Sequence, residues 1–245
     1  MREVCLVVPC FNEERRLRGD LFLDFVRSRA DVCVSFVDDG SSDGTRAALD
    51  ALRARGEGRL MVEGLARNSG KAEAVRQGVL HAASLGRFDV IGYWDADLST
   101  PLSELDRLLA ALDGHPARGL ALGSRVKRLG SFIERNPTRH YLGRAFSTMA
   151  SQLLDLPVYD SQCGAKVFRT DLATALFADR FVTRWLFDVE LLVRLRHHLG
   201  PEGFLHAAVE VPLTEWHEVG GSKLKLAHMA NVPFELLRIR ARYKS

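Results

Sequence analysis

No apolar stretch in this chain approaches the roughly twenty residues needed to span a bilayer, so no membrane-crossing helix is expected. A strand-like run starts almost at once after Met1-Arg2-Glu3, which leaves no room for a secretory signal and predicts none. Cysteine is scarce. The four residues, Cys5, Cys10, Cys33 and Cys163, show no CxxC spacing, which argues against a disulfide or zinc framework and for reduced, buried thiols. Neither sign of charge dominates: 34 Lys and Arg stand against 31 Asp and Glu, a net charge of +3. That balance is too mild to point to nucleic acid, and no nucleic-acid partner is expected. Internal repeats, low-complexity tracts and a convincing linker are also missing. The location expected is cytoplasmic, with peripheral attachment to the inner face of a membrane as the variant.

What is present suits one compact domain. The 245 residues are 47% hydrophobic and 27% charged, enough to bury a core without a second domain. Apolar runs alternate with polar loops and helical patterns. Glu3 to Val8 stops at Pro9, where proline should end a central strand and let Cys10-Phe11-Asn12-Glu13-Glu14 open a helix. Val32 to Val37 feeds into Asp38-Asp39-Gly40-Ser41-Ser42-Asp43-Gly44-Thr45, a tight turn in which Asp43 can cap a helix ending near Arg55. Leu60 to Val62 leads to Arg67-Asn68-Ser69-Gly70-Lys71 and a helix over about Ala72 to Ser84. Strand, loop and helix three times over predict an α/β fold, a mostly parallel sheet with ligand groups at its carboxyl edge.

The fourth strand carries the strongest chemical signal. Val90 to Trp94 is apolar and ends in Asp95-Ala96-Asp97, two carboxylates where a strand leaves the sheet. Such a pair suits a hard divalent cation that takes its remaining oxygens from a phosphate. Oxygen donors favour Mg2+ or Mn2+ over zinc.

The order Val-Pro-Cys-Phe-Asn-Glu-Glu, Val-Asp-Asp-Gly-Ser-Ser-Asp-Gly-Thr, Arg-Asn-Ser-Gly-Lys, Asp-Ala-Asp resembles the family 2 glycosyltransferases with the GT-A fold. Three later segments resemble the branch of dolichyl-phosphate β-glucosyltransferases and other polyprenyl-phosphate glycosyltransferases. They are Asp160-Ser161-Gln162-Cys163-Gly164-Ala165-Lys166, Trp185-Leu186-Phe187-Asp188-Val189-Glu190 and Gly221-Ser222-Lys223. The match runs from about Val4 to about Tyr243. It implies a GT-A, Rossmann-like catalytic domain over residues 1–223, with a basic helical segment, 224–245, as part of the same domain.

The resemblance also implies roles. Asp97 is the direct metal ligand, with Asp95 near the ribose or reaching the metal through water. Pro9, Phe11 and Glu13 resemble base and ribose contacts, Asp39 reads the base edge, and Lys71 reaches phosphate or orients Asp39. Gln162 lies beside the sugar, and Lys223 is a point charge on a glycine-hinged loop over the diphosphate. Where the glucosyltransferase pattern has paired glycines after the lysine, this chain has Ala72 and Glu73, which puts any role of Arg76 in doubt. A UDP-sugar is favoured over a GDP-sugar as donor, and inversion by single displacement follows from the family.

The acceptor divides the possible reactions. A hydroxyl needs a general base, whereas a lipid phosphate is already anionic and needs only positioning. Asp188 and Glu190 are two apart, so on one helix only one faces the site; Asp188 is taken as that carboxylate, a base if the acceptor is a hydroxyl, or a sugar or polar anchor if it is a phosphate. Arg125, Lys127, Arg128, Arg135, Arg139 and Arg144 gather against a single acid, Glu134. Arg125 to Arg135 is read as a mobile loop, and Asn136-Pro137 as the start of a helix reaching about Leu154. Arg135 and Arg139 are the cations expected to meet acceptor phosphate. His217, beside Trp216, is either a third metal ligand or a packing residue. Leu224 to Tyr243 reads as an amphipathic helix interrupted or restarted at Pro233, lying on the enzyme or on an anionic membrane. The reading is an inverting, metal-dependent transferase moving glucose from UDP-glucose to a polyprenyl phosphate. Transfer to a hydroxyl and a noncatalytic sugar-nucleotide sensor remain the alternatives.

Overall fold

The computed structural model describes residues 2–134, 137–219 and 231–243; for 137–142, 144 and 145 it describes the backbone alone. Elements are numbered in chain order. The chain forms two compact units, Met1–Leu98 with Gly164–Arg180, and Ser99–Cys163 with Phe181–Ser245.

The first unit is a wound α/β layer. Its strands are β1 (Val4–Cys10), β2 (Val32–Asp38), β3 (Leu60–Gly64), β4 (Val90–Trp94) and β7 (Ala165–Arg169), in the order β3-β2-β1-β4-β7. β1, β2 and β4 are buried throughout except for half-buried Pro9, and so carry the continuous apolar runs of parallel strands covered on both faces. β1 pairs in parallel with β2 and β4, and β2 with β3, whereas β7 runs antiparallel to β4. The winding proceeds outward from β1 to β3, then returns to the other side of β1. That reversal puts a switch point between β1 and β4, where open α/β sheets take ligands.

Helices α1 (Gly19–Ser28) and α2 (Thr45–Arg55) pack on β2, and α3 (Lys71–Ser84) packs on β1, β2, β4 and α6 (Thr170–Phe177). A side chain at Gly78 would place its Cβ 2.5 Å from a Val7 methyl, so glycine lets α3 sit close on the sheet.

Two local expectations are corrected. Proline does not stop β1 at Val8: the strand runs on to Cys10, with Pro9 opposite Val37. The ladder to β4 has already ended at Val7, so Pro9 lies on a one-sided stretch where a missing N–H is tolerated. Residues 11–18 form turns, and the helix begins only at Gly19. The four cysteines are buried and free, as expected.

The second unit holds β5 (Leu120–Ser124) in parallel with β8 (Ala208–Pro212), and a short parallel ribbon of β6 (Phe132–Ile133) with β9 (Glu215–Trp216). α4 (Leu105–Asp113) covers β5 and β8; α5 (Pro137–Leu154) packs on α8 (Val232–Arg242), which has Pro233 in its first turn, while 224–230 of the segment read as helical lie outside the described residues. α7 (Phe187–Ala207) is broken at Gly200, φ 73°, followed by Pro201. The stretch 125–134, read as a mobile loop, instead contains β6. Phe132 N–H donates to Thr214 O and Glu134 N–H to Trp216 O, and Arg125 is fixed on Asp160. The periodicity of a two-residue strand is too short to read in a sequence.

Glu190 is the buried polar pivot of this unit, with no exposed surface. It accepts from the N–H groups of Val182 and Thr183, from the Arg194 guanidinium at 2.9 Å and from the Tyr243 hydroxyl at 2.9 Å. Burial, then the neighbouring Glu190 charge, pushes the Tyr243 hydroxyl up to about 12. Removing Glu190 would strand a buried guanidinium, so Glu190→Ala should destabilise the protein by about 3–5 kcal/mol. Tyr243→Phe should cost about 1 kcal/mol. Urea unfolding of both variants measures this; equal effects would show that Arg194 does not depend on Glu190.

Candidate active site

The carboxyl ends of β1 to β4 converge on one edge of the first unit, and the loops leaving them are tied together by side chain to backbone bonds. Asn12 N–H donates to Ser41 Oγ at 3.0 Å, Ser42 N–H to Asn12 Oδ1 at 2.9 Å, and Glu13 N–H to Thr45 Oγ1 at 2.7 Å. Asn12 takes φ 51° to allow this, one of two non-glycine residues in left-handed conformation at this edge. The other is Leu98, φ 53°, whose N–H closes the turn after β4 on Asp95 O at 3.2 Å. Strain of this kind persists where surrounding structure fixes it, often at ligand sites.

Pro9, near the end of β1, and Phe11, on the loop after it, are half-buried. Glu13 is buried, and the Arg16 guanidinium grips both its oxygens at 2.7 and 3.0 Å. Asp39 is 3% exposed and accepts from Ser69 N–H at 2.7 Å and Gly70 N–H at 2.8 Å. Both its oxygens thereby hold the β3 loop against the β2 loop. Gly40 completes the clamp: its φ is 64°, and a Cβ there would lie 2.5 Å from the Arg67 carbonyl carbon.

The clamped loop delivers Lys71, whose Nζ lies 2.6 Å from Asp95 Oδ1. Lys71 was expected to reach phosphate or to orient Asp39; its ammonium instead lies on the acidic doublet, against Asp95. Asp95 is further defined by β7. Its N–H donates to Gly164 O at 3.0 Å, and a Cβ at Gly164 would stand 1.9 Å from Asp95 Oδ2. The carboxylate therefore lies directly on the Gly164 backbone. Asp97 is half-buried two residues on.

A divalent cation fits this donor set in one sense only. Among the described residues no three His, Cys, Asp or Glu gather around one point, so Asp95 and Asp97 would need a partner supplying further oxygens, as a diphosphate does. Lys71, an ammonium held against Asp95, shows that this carboxylate is placed to accept positive charge.

The departure at Ala72-Glu73 has a structural explanation. Glu73 accepts from the Arg76 guanidinium at 3.0 and 3.1 Å and from Gln77 at 2.8 Å, while Arg76 donates to Phe177 O and Ala178 O at the end of α6. Burial works to raise the Glu73 carboxyl, but the bonds from Arg76 and Gln77 hold it below its usual range. Arg76 thus ties α3 to α6.

In the second unit, Gln162 is half-buried beside Asp160, which accepts from Arg125 Nε and Nη2 at 2.7 Å each. Arg125 also lies over the Trp216 ring, 5.5 Å from its centroid. Of the basic cluster, Arg125 is therefore a scaffold residue. Asp188 is 5% exposed in the first turn of α7, whereas Glu190 is fully engaged as described above. His217 is held between Glu215 at 2.6 Å and Glu134 at 3.0 Å, one on each ring nitrogen, which raises its pKa. The ring then braces the β6–β9 ribbon. Arg135 and Lys223 lie outside the described residues, as does the side chain of Arg139. The residues missed by sequence reasoning are Gly164 and Asn12, although a glycine just before β7 and an asparagine just after β1 were the available signals.

The family model for glycosyl transferase family 2 matches residues 5–177. A dolichyl-phosphate beta-glucosyltransferase of Mus musculus is 32% identical over 99% of this chain and 76% of its own length. One from Trichomonas vaginalis is 31% identical, over 98% and 71%. Among solved structures, glucosyl-3-phosphoglycerate synthase from Mycobacterium tuberculosis, in complex with Mn2+ and uridine-diphosphate-glucose, aligns with a TM-score of 0.69 at 16% identity. The alignment covers 99% of this chain and 79% of that one, and it shows a shared fold.

Gly164→Ala tests the cradle. Asp95 must swing away, so turnover should fall by about a hundredfold, with the melting temperature nearly unchanged. Retained turnover would show that the position of Asp95 is immaterial.

Proposed function

The chain belongs to glycosyl transferase family 2, and from that premise we propose that it transfers glucose from UDP-glucose to a polyprenyl or dolichyl-type phosphate with inversion. The observation that carries the donor half is the Asp95 carboxylate, seated on Gly164 and paired with Lys71 at the exit of β4. The acceptor half is supported by the names of the relatives, which are similar over nearly the whole chain.

In this reading an oxygen of the acceptor phosphate forms a bond to the anomeric carbon as the bond from that carbon to the β-phosphate oxygen breaks. UDP leaves with the bonding electron pair. Asp97 and Asp95 are the residues that would hold a Mg2+ or Mn2+ ion, which would supply positive charge to the departing diphosphate. Lys71 adds a second positive charge beside Asp95. Pro9, Phe11 and Glu13 flank the nucleoside, and Asp39 keeps the lysine loop closed behind it. Gln162 orients the sugar, and Lys223 screens the diphosphate. The acceptor is anionic at neutral pH and needs no base, so Asp188 serves as a sugar or polar anchor, with Arg135 and Arg139 attracting the acceptor phosphate. Work at the inner face of a membrane follows from an acceptor of this class. Among the described residues no helix is long and apolar enough to cross one.

Transfer of radiolabel from UDP-glucose to a polyprenyl phosphate measures the reaction directly. Asp97→Ala should reduce kcat by at least about a thousandfold and leave nucleotide-free stability intact; full activity without divalent metal would remove the proposed metal role. Binding of UDP-glucose without any turnover would instead identify a sensor.

Asp188→Asn distinguishes the acceptors. It should be mild with a phosphate acceptor, within about tenfold, and crippling with a hydroxyl acceptor, about a hundredfold or more. Arg139→Ala should raise KM for the phosphate acceptor; unchanged kinetics would return that cation to the solvated surface.

A further inference from the structure

Helix α8 was expected either to pack on the enzyme or to lie on a membrane, but the structure gives it two faces. Leu236 and Ile239 have no exposed surface, and Tyr243 at its end is bonded to Glu190 and Arg194. One stripe of the helix is therefore locked onto its own unit. Phe234 and Leu237, by contrast, are 67% and 53% exposed, among the most exposed large apolar side chains described. At about 100° per residue, Phe234, Leu237 and Ala241 share a stripe opposite the buried one. Arg238 and Arg242 border that stripe on one side and Arg240 on the other, all three exposed. Glu235, half-buried, is the one acid in the helix.

We propose that this outer face of α8 docks the enzyme on an anionic phospholipid surface, with Phe234 and Leu237 entering the interface and Arg238, Arg240 and Arg242 meeting lipid phosphates. The inference rests on the reading that the acceptor is membrane-borne, and it names the surface that brings the enzyme there. Charge complementarity selects the occupant. An apolar strip bordered by three guanidinium groups matches a negatively charged interface, in which aromatic and aliphatic side chains enter the headgroup region while cations remain at the phosphates. A free amphipathic tail would have to fold before binding. Here Leu236, Ile239 and the Tyr243 anchor hold the helix formed beforehand, so docking needs no ordering of the segment.

The test uses the full chain and vesicles that contain neither donor nor acceptor. Sedimentation with phosphatidylcholine vesicles is compared with vesicles in which about a third of the lipid is phosphatidylglycerol, a composition chosen to give a strongly negative surface. The parent protein should bind the anionic vesicles, and raised salt should release it. F234S/L237S and, separately, R238S/R240S/R242S should each weaken partitioning by about tenfold or more, with unchanged circular dichroism and melting temperature because all five positions are exposed. Both variants should keep the parental rate on a short-chain, water-soluble polyprenyl phosphate. Partitioning unchanged in both variants would overturn the proposal, as would a parent dimer that F234S/L237S splits, since the occupant would then be a second copy. Vesicle binding is read without transfer, so an enzyme that binds vesicles but never glucosylates a phosphate would refute the reaction and leave the docking face standing.

Discussion

The closeness of β4 and β7 at their shared end is the constraint on which the rest of the first unit depends. Gly164 gives up a side chain so that the Asp95 carboxylate can lie on the backbone of the neighbouring strand. The antiparallel register that sets Trp94 opposite Ala165 puts Gly164 beside Asp95. Once Asp95 is fixed, Lys71 has a partner, and the loop that carries Lys71 is itself fixed by Asp39. A carboxylate, a backbone and an ammonium are thus positioned by three different strands.

Acidic residues in this chain fall into two groups that composition cannot separate. Glu13, Asp39, Glu73, Asp160 and Glu190 are held by guanidinium groups or backbone N–H groups and organise loops and helix ends. All but half-buried Glu73 are buried, and removing any of them leaves a donor without its partner. Asp95 and Asp97 are half-buried at a strand exit instead. A doublet placed like that can accept positive charge, as the Lys71 ammonium does at Asp95.

The same economy appears in the cations. Arg125 sat in a basic cluster that invited a phosphate-binding role and Arg76 beside the lysine loop, yet each is bound to an acid in its own unit, as is Arg194. The arginines of α8 are different, since they border an apolar stripe facing away from the unit. A guanidinium's role is set by what the fold places within 3 Å of it, and sequence spacing conveys that only for neighbours along one helix.

The sequence by itself determined the α/β class, the parallel strands with their polar exits, the strand-end aspartates and the family. These are local or periodic signals: apolar runs, turn residues, and motifs a few residues long. Only the tertiary structure decided that β1 passes through Pro9, that Asp39 clamps a loop thirty residues away, that Lys71 meets Asp95, and that α8 has one locked face and one exposed face. Each of these depends on a pairing between segments distant in the chain, where register and packing, not propensity, choose the partner.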